Sequence, residues 1–312
     1  MALSQPHIVP QHCTPDEAFD YCAKITNAHY ENFPVASLFL PEEKRPYIQA
    51  IYAFSRTADD FADELDRPAE DRLADLKSWE EKLRSCYAGE AEHPVFVALR
   101  ETVTNLDIPI EPLLDLLTAF RRDVLQNRYE TFEDLLSYCR CSANPVGRLV
   151  LMIFGTRDEE LFLLSDRICT ALQLANFWQD ISRDRAINRL YVPLEDFRRF
   201  GASLDGWREG LVNDDIRTMI KFEVARTKEL FYNGAELPSL VLPELQLELR
   251  LVWFGGMTIL KKIESGKYDV FQRRPELNAV DKFLILVRGM FSKNLMRFGR
   301  KRSEWEALQQ QS

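Results

Sequence analysis

Apolar residues recur in this chain at the three- and four-residue spacing of a helix from Thr14 almost to the C-terminus, and no stretch alternates polar and apolar as a half-buried strand does. That property confines the fold to packed helices. Thr14-Pro15-Asp16-Glu17 is a capping box with proline at the first helical position, and Pro46 opens a second helix. Helical patterns follow at about 69–88, 94–105, 110–128, 131–154 and 158–187, then at about 213–236, 243–265 and 277–299. Pro193 and Gly201–Gly210 mark a loop region with room for a short helix. There is no solenoid repeat and no low-complexity linker. One all-α domain over 14–300 is expected, with a loose tail at 1–13 and a polar tail at 301–312. The 312 residues, 46% of them hydrophobic, are ample for a large core.

Two aspartate pairs stand out within this helical pattern. Asp59 and Asp63 lie four residues apart in Tyr52-Ala53-Phe54-Ser55-Arg56-Thr57-Ala58-Asp59-Asp60-Phe61-Ala62-Asp63, and Asp180 and Asp184 lie four apart in Asn176-Phe177-Trp178-Gln179-Asp180-Ile181-Ser182-Arg183-Asp184. On a helix this spacing stacks both carboxylates on one face, where they repel unless a cation lies between them. A lone pair of this kind is common on solvated helix faces. Here each has company. Tyr52, Arg56, Asp59 and Asp63 share one arc, while Ile51, Phe54, Ala58, Phe61, Ala62 and Leu65 fill the opposite one. Asn176 sits one turn before Asp180. Hard oxygen ligands offered one or two per element suit Mg²⁺, which completes its shell with phosphate oxygens and water. Two such helices could hold Mg²⁺ over a diphosphate.

A net charge of −9 argues against a nucleic-acid binder and means that an anionic substrate needs local cations or metal. The six cysteines form no CxxC pair, and with four scattered histidines no zinc-ligand spacing exists. They are expected as small buried or half-buried residues of a protein in the reducing cytoplasm. MALSQPHIVPQHC lacks the apolar core of a signal peptide, and the longest apolar runs, Leu149–Phe154 and Phe283–Val287, are too short to span a bilayer. The helix from Val146 to Phe154 is apolar almost all round, as a central core helix is. The stretch 281–302 combines Phe283, Leu284, Val287, Phe291, Leu295 and Phe298 with Lys293, Arg297, Arg300, Lys301 and Arg302. It reads equally as a helix lying on the inner face of a membrane and as an ordinary terminal helix with its basic side in solvent.

Several of these motifs together resemble the squalene/phytoene synthase family. Asn32-Phe33-Pro34-Val35, the run YAFSRTADDFADE, Tyr138-Cys139-Arg140-Cys141-Ser142-Ala143-Asn144-Pro145-Val146-Gly147, NFWQDISRD and Arg189-Leu190-Tyr191-Val192-Pro193 carry the resemblance over roughly residues 15–295. The Asn-Phe-Pro-Val segment, the Asn-Phe-Trp-Gln-Asp run and Arg274-Pro275 followed by Asp281-Lys282 are similar to the bacterial hopanoid-pathway branch, the hydroxysqualene synthases. The resemblance implies an isoprenoid-synthase helical bundle around a central apolar cavity. It implies Mg²⁺ held by Asp59, Asp60 and Asp63 and by Asn176, Asp180 and Asp184. It implies that Arg56 and Tyr52 face the diphosphate, and that Arg189, Tyr191 and Tyr268 lie near the diphosphate or the reacting carbons.

The chain also departs from the family pattern. Dehydrosqualene and phytoene synthases typically carry His-Ser-x-Ser-Phe, whereas His29-Tyr30-Glu31-Asn32-Phe33 lacks both serines. They usually carry Arg where this chain has Gln179, and Arg183 occupies a place often held by an acidic residue. These changes favour presqualene diphosphate as substrate, with Mg²⁺-dependent ionisation, rearrangement of the cation and capture by water to give hydroxysqualene without NADPH. Three alternatives stay open: a one-step squalene synthase, a dehydrosqualene or phytoene synthase acting on farnesyl or geranylgeranyl diphosphate, and a non-catalytic helical scaffold.

Overall fold

The computed structural model describes residues 13–28, 41–292 and Leu295. The Asn32–Val35 and His29–Phe33 segments, the tail residues before Cys13, the polar tail at 301–312, and Lys293, Phe298 and the basic residues between Arg297 and Arg302 lie outside them.

Among the described residues the chain is helical, with a single isolated bridge, Arg128 to Leu190, in place of any sheet. The helices are α1 (Pro15–Ala28), α2 (Arg45–Asp63), α3 (Ala69–Tyr87), α4 (Pro94–Leu106), α5 (Glu111–Leu125), α6 (Phe132–Ser142), α7 (Asn144–Ile153), α8 (Glu159–Ala186), α9 (Leu194–Phe200), α10 (Leu204–Glu209), α11 (Asp214–Asn233), α12 (Leu237–Leu240), α13 (Pro243–Ser265) and α14 (Ala279–Phe291). The expected capping box forms: the Thr14 backbone N–H donates to Glu17 Oε2 at 2.8 Å, and the Glu17 N–H donates to Thr14 Oγ1 at 3.4 Å.

Three departures from the sequence pattern have local causes. The continuous helix expected over 131–154 breaks at Ala143, because Pro145 has no N–H to continue α6 but fits the first turn of α7. The loop after Pro193 forms two short helices, α9 and α10, each ended by a glycine in the left-handed region, Gly201 at φ 64° and Gly210 at φ 74°. Leu65, expected on the buried arc, is exposed because α2 stops at Asp63.

The chain divides into two compact units. One takes residues up to Val124 together with Met152–Gly155, and the other takes Leu125–Leu151 and the chain from Thr156 onward. In the first, α2 packs against α1, α3 and α4. Phe54 of α2 stacks on Trp79 of α3 with ring centroids 6.1 Å apart, and the Trp79 indole donates to the Phe54 carbonyl at 3.2 Å. Arg72 of α3 donates to the Ala62 carbonyl at 2.8 Å, placing a cation where the α2 dipole is negative.

In the second unit α8 is the central helix, packed against α6, α11, α12 and α13. Trp178 is fully buried and its indole donates to Thr227 Oγ1 of α11 at 2.8 Å. The first part of α7 approaches α8 closely. A Cβ on Gly147 would lie 2.4 Å from both Cys169 Sγ and Ser165 Oγ, so only glycine fits there. Leu149 and Leu151 in this unit, and Met152, Ile153 and Phe154 in the first, are buried, while Val146 at the start of the expected all-round apolar stretch is exposed. The six cysteines, all among the described residues, form no disulfide, and Cys22, Cys86 and Cys139 are buried.

Candidate active site

The acidic motif of α2 stands on the helix face opposite Ile51, Phe54, Ala58 and Ala62, all buried. Helical spacing alone brings Arg56 to the carboxylates. Its Nη1 donates to Asp59 Oδ2 at 3.0 Å and its Nη2 to Asp60 Oδ1 at 2.5 Å. Burial by itself would lower the Arg56 pKa; the Asp59 and Asp60 carboxylates outweigh it and raise it. The Arg56 Nε–H is buried and makes no hydrogen bond among the described residues. A donor held in that state is suited to an incoming anion. Tyr52 is half-buried one turn earlier, its pKa raised chiefly by burial, against the lowering pull of Arg56 and with smaller help from Asp59 and Asp60. Asp63 is exposed in the last position of the helix.

The acidic motif of α8 is built differently. Asn176 Nδ2 donates to Asp180 Oδ2 at 2.9 Å, as the one-turn spacing predicts. The main partner of Asp180 comes from 94 residues away: Arg274 Nε donates to Oδ1 at 2.5 Å and Nη2 to Oδ2 at 3.3 Å. This forked pair raises the Arg274 pKa, the hydrogen bonds to Asp180 being the largest cause. Beside it, Gln179 Nε2 donates to the Pro275 carbonyl at 2.6 Å. Arg183 is 63% exposed and lies 3.9 Å from Asp180, too loose for a hydrogen bond.

Asp184 ends the motif where α8 itself ends: its carbonyl accepts from the Arg189 N–H at 2.8 Å across a turn with Asn188 at φ 58°. That turn lays 190–195 beside 127–130, with Leu190 N–H on the Asn127 carbonyl at 2.8 Å. Tyr191 is thereby stacked on Phe177 of α8, ring centroids 3.7 Å apart and planes 9° apart. Tyr129 and Tyr138 extend the cluster, at 5.9 and 6.2 Å from Tyr191. Tyr268 is half-buried at φ 58° in the turn after α13, its N–H on the Ile263 carbonyl.

The donor set fits Mg²⁺. It is all oxygen, and among the described residues no three His, Cys, Asp or Glu side chains form a ready metal cage. α2 instead offers the carboxylates of Asp59, Asp60 and Asp63, and α8 those of Asp180 and Asp184 with the Asn176 amide oxygen, hard oxygen donors of the kind Mg²⁺ takes alongside phosphate oxygens and water.

A model of the family described as squalene/phytoene synthase matches residues 26–281. The chain belongs to the squalene/phytoene synthase family. It is 43% identical over 204 residues to a hydroxysqualene synthase of Zymomonas mobilis, a match covering 64% of this chain and 67% of that one. It is 32% identical to a 15-cis-phytoene synthase of Synechococcus elongatus over 83% of this chain and 87% of that one. The crystal structure of the squalene synthase HpnC from Alicyclobacillus acidocaldarius is 47% identical, with a TM-score of 0.78 over 81% of this chain and 95% of that one. A dehydrosqualene synthase solved with a ligand is 25% identical, with a TM-score of 0.80 over 88% of this chain and 96% of that one. The fold is that of the isoprenoid synthases, and the chain is a family enzyme acting on prenyl diphosphates. Arg274, Tyr138 and Phe177 fall inside recognisable motifs, but nothing local in the sequence assigns them a role at the site. The sole sequence signal for Arg274 is its place in the Arg-Pro marker.

Proposed function

We propose that this family enzyme converts presqualene diphosphate to hydroxysqualene. The observation that carries the reading is Gln179. Condensing two prenyl diphosphates requires charge neutralisation for two diphosphates. Where dehydrosqualene and phytoene synthases usually carry an arginine, this chain has a neutral amide committed to the Pro275 carbonyl. A neutral side chain at position 179 suits a substrate with a single diphosphate. The likeness to hydroxysqualene synthases of Zymomonas mobilis and of Rhodopseudomonas palustris, the latter 32% identical over 86% of this chain, supports the same branch.

On this reading Asp59, Asp60, Asp63, Asn176, Asp180 and Asp184 would hold Mg²⁺. When bound, the metal supplies Lewis-acid neutralisation of the leaving group. Arg56 binds diphosphate oxygens through its Nε–H and by exchanging its carboxylate partners, with Tyr52 and Arg189 orienting the group. The substrate C–O bond breaks and its electron pair leaves with the diphosphate. The ring faces of Tyr191 and its neighbours favour the positive charge left on carbon. A water-poor site lets the cyclopropylcarbinyl cation rearrange before one positioned water adds through oxygen. That water's proton passes to diphosphate or to a tyrosine such as Tyr268. No reductant enters this balance, so NADPH is not needed.

The test is purified enzyme with Mg²⁺ and presqualene diphosphate in ¹⁸O-labelled water, with and without NADPH, read by mass spectrometry. Labelled hydroxysqualene without NADPH is the expected product. Squalene formed only with NADPH would assign a one-step squalene synthase. A C30 or C40 polyene made from farnesyl or geranylgeranyl diphosphate would assign the condensing branch.

A second reading concerns location in the cytoplasm against the inner face of a membrane. Among the described residues no helix is long and apolar enough to cross one. Yet α14 exposes Val280 (65%), Phe283 (64%), Leu284 (42%) and Phe291 (79%) at helical spacing, and the sequence after it is basic. An apolar stripe followed by cations suits an anionic lipid surface, apt for a lipid product. Sedimentation with anionic liposomes should fall when Phe283 and Phe291 are both changed to Ser; unchanged binding rejects the stripe as the contact.

A further inference from the structure

Asp180 has both oxygens taken. Arg274 Nε holds Oδ1 at 2.5 Å, while Arg274 Nη2 at 3.3 Å and Asn176 Nδ2 at 2.9 Å hold Oδ2. A cation that binds this carboxylate competes with these donors for its oxygens. The donor that repels an incoming cation is Arg274. We infer that Arg274 is a displaceable counter-ion of Asp180, which yields the carboxylate to metal arriving with diphosphate and then binds the diphosphate itself. The inference rests on the metal–diphosphate reading above and adds an order of loading to it.

The chain around Arg274 is arranged for a short, guided movement. Residues 273–278 have no regular secondary structure, and both ends of the connection are fixed. At the near end the Phe271 and Gln272 N–H groups donate to Asp269 Oδ1, each at 3.3 Å, and Phe271 packs edge-on to Trp207 with centroids 4.8 Å apart. At the far end Asn278 and Asp281 form a capping box for α14, and Asp281 is 2.7 Å from Lys262 of α13. Between these anchors the segment is held to α8 by two side chains next to each other in sequence, Asp180 to Arg274 and Gln179 to Pro275. If Asp180 releases Arg274, the Gln179 bond keeps the guanidinium near the end of α8. Glu276 Oε1, 3.3 Å from Arg274 Nη1, offers a partner in transit.

Exposure permits the exchange. The Arg274 side chain is 23% exposed and Asp180 17%, so the pair is reachable by solvent and is not locked in a dry core. Such pairs contribute little net stability and are readily replaced. A divalent cation alone would have to evict Arg274 and leave it beside the metal with the exposed Glu276 as its carboxylate partner. Diphosphate removes that penalty by giving Arg274 a new anionic partner with matching forked geometry. Metal and diphosphate therefore enter together, and metal alone is disfavoured.

The test is a pair of titrations on the full chain, followed by thermal shift: Mg²⁺ alone, and inorganic diphosphate at saturating Mg²⁺. Arg274→Ala should bind Mg²⁺ alone about three- to ten-fold tighter and inorganic diphosphate about ten-fold weaker. Arg274→Lys keeps the charge but loses the fork, so it should stay near wild type with Mg²⁺ alone while still losing diphosphate affinity. Gln179→Ala should speed amide exchange at 273–277 and leave the Mg²⁺-alone affinity unchanged. In the wild type, Mg²⁺ with diphosphate should slow exchange at 273–277, and Mg²⁺ alone should not. A merely structural Arg274 would shift both affinities in the same direction or neither, and either result overturns the inference. If Arg274→Ala does not fold, the Arg274→Lys split and the wild-type exchange pattern decide. Wild-type enzyme that binds no diphosphate in Mg²⁺ overturns the metal–diphosphate reading itself, whereas normal wild-type binding with no sign split in the variants overturns only the role of Arg274.

Discussion

The acidic helices α2 and α8 each hold an arginine against their carboxylates, but they obtain it by opposite routes. In α2 the cation is Arg56, three and four residues before Asp59 and Asp60 on the same helix. In α8 it is Arg274, 94 residues downstream in the connection between α13 and α14. The first pairing follows from helix geometry and is remade whenever α2 forms. The second exists only when α13, α14 and their connection have packed against α8. One motif thus carries its cation on its own helix, and the other receives it from a connection distant in sequence.

The largest effect should come from the carboxylates. Asp59→Asn and Asp180→Asn are each expected to reduce kcat by about 10²–10³-fold or more with the fold intact, because each removes a full negative charge from the metal donor set. Circular dichroism and steady-state assay at saturating Mg²⁺ check this. Near wild-type turnover in one variant alone would show that only the other helix serves metal. Next, Arg56→Lys should cost about ten-fold or more in kcat/KM, because one ammonium cannot reproduce the fork that spans Asp59 and Asp60. An unchanged kcat/KM would remove Arg56 from the diphosphate site.

The supports of the two helices differ as well. Gly147→Ala should destabilise the protein by about 2 kcal/mol in chemical denaturation, since its Cβ would overlap Cys169 and Ser165 on α8. No comparable glycine approach supports α2 among the described residues. The smallest effect concerns pH and the unit that contains α2. His93 packs edge-on to Trp79, with centroids 5.2 Å apart, and Trp79 in turn stacks on Phe54 of α2. Burial, with Lys82 assisting, pushes the His93 pKa down to about 4. Between the ordinary imidazole pKa and that value the unfolded chain binds a proton that the folded chain refuses. The contribution is therefore full above about pH 6.5 and lost as pH falls toward 4, on the order of 1 kcal/mol once solvent access is allowed for. Once the intrinsic pH dependence of exchange is divided out, amide protection in α3 and α4 should fall less in His93→Gln than in wild type as pH goes from 7 to 5; equal falls would place the acid sensitivity elsewhere.

Much of the site is legible in the amino-acid sequence. The stacking of Asp59 on Asp63, the approach of Arg56 and the bond from Asn176 to Asp180 all lie within one helical turn, where the period fixes which side chains meet. The helices are legible too, because their apolar arcs must be buried to offset the chain entropy lost on folding. The limits of periodicity show at Ala143, where one expected helix is two, α6 and α7. The apolar period continues across the break, while Pro145 removes the hydrogen bond that would have joined them.

The sequence by itself determined an all-helical chain with two acidic faces, and one arginine already beside the first of them. Only the tertiary structure decided that Arg274 meets Asp180, that Gln179 is committed to Pro275 and that Tyr191 stacks on Phe177. The last of these spans 14 residues around the end of α8 and the first two span 94 and 96. No local period reaches so far. Such contacts depend on the path of the chain through turns and loops, where a left-handed residue such as Asn188 redirects everything that follows.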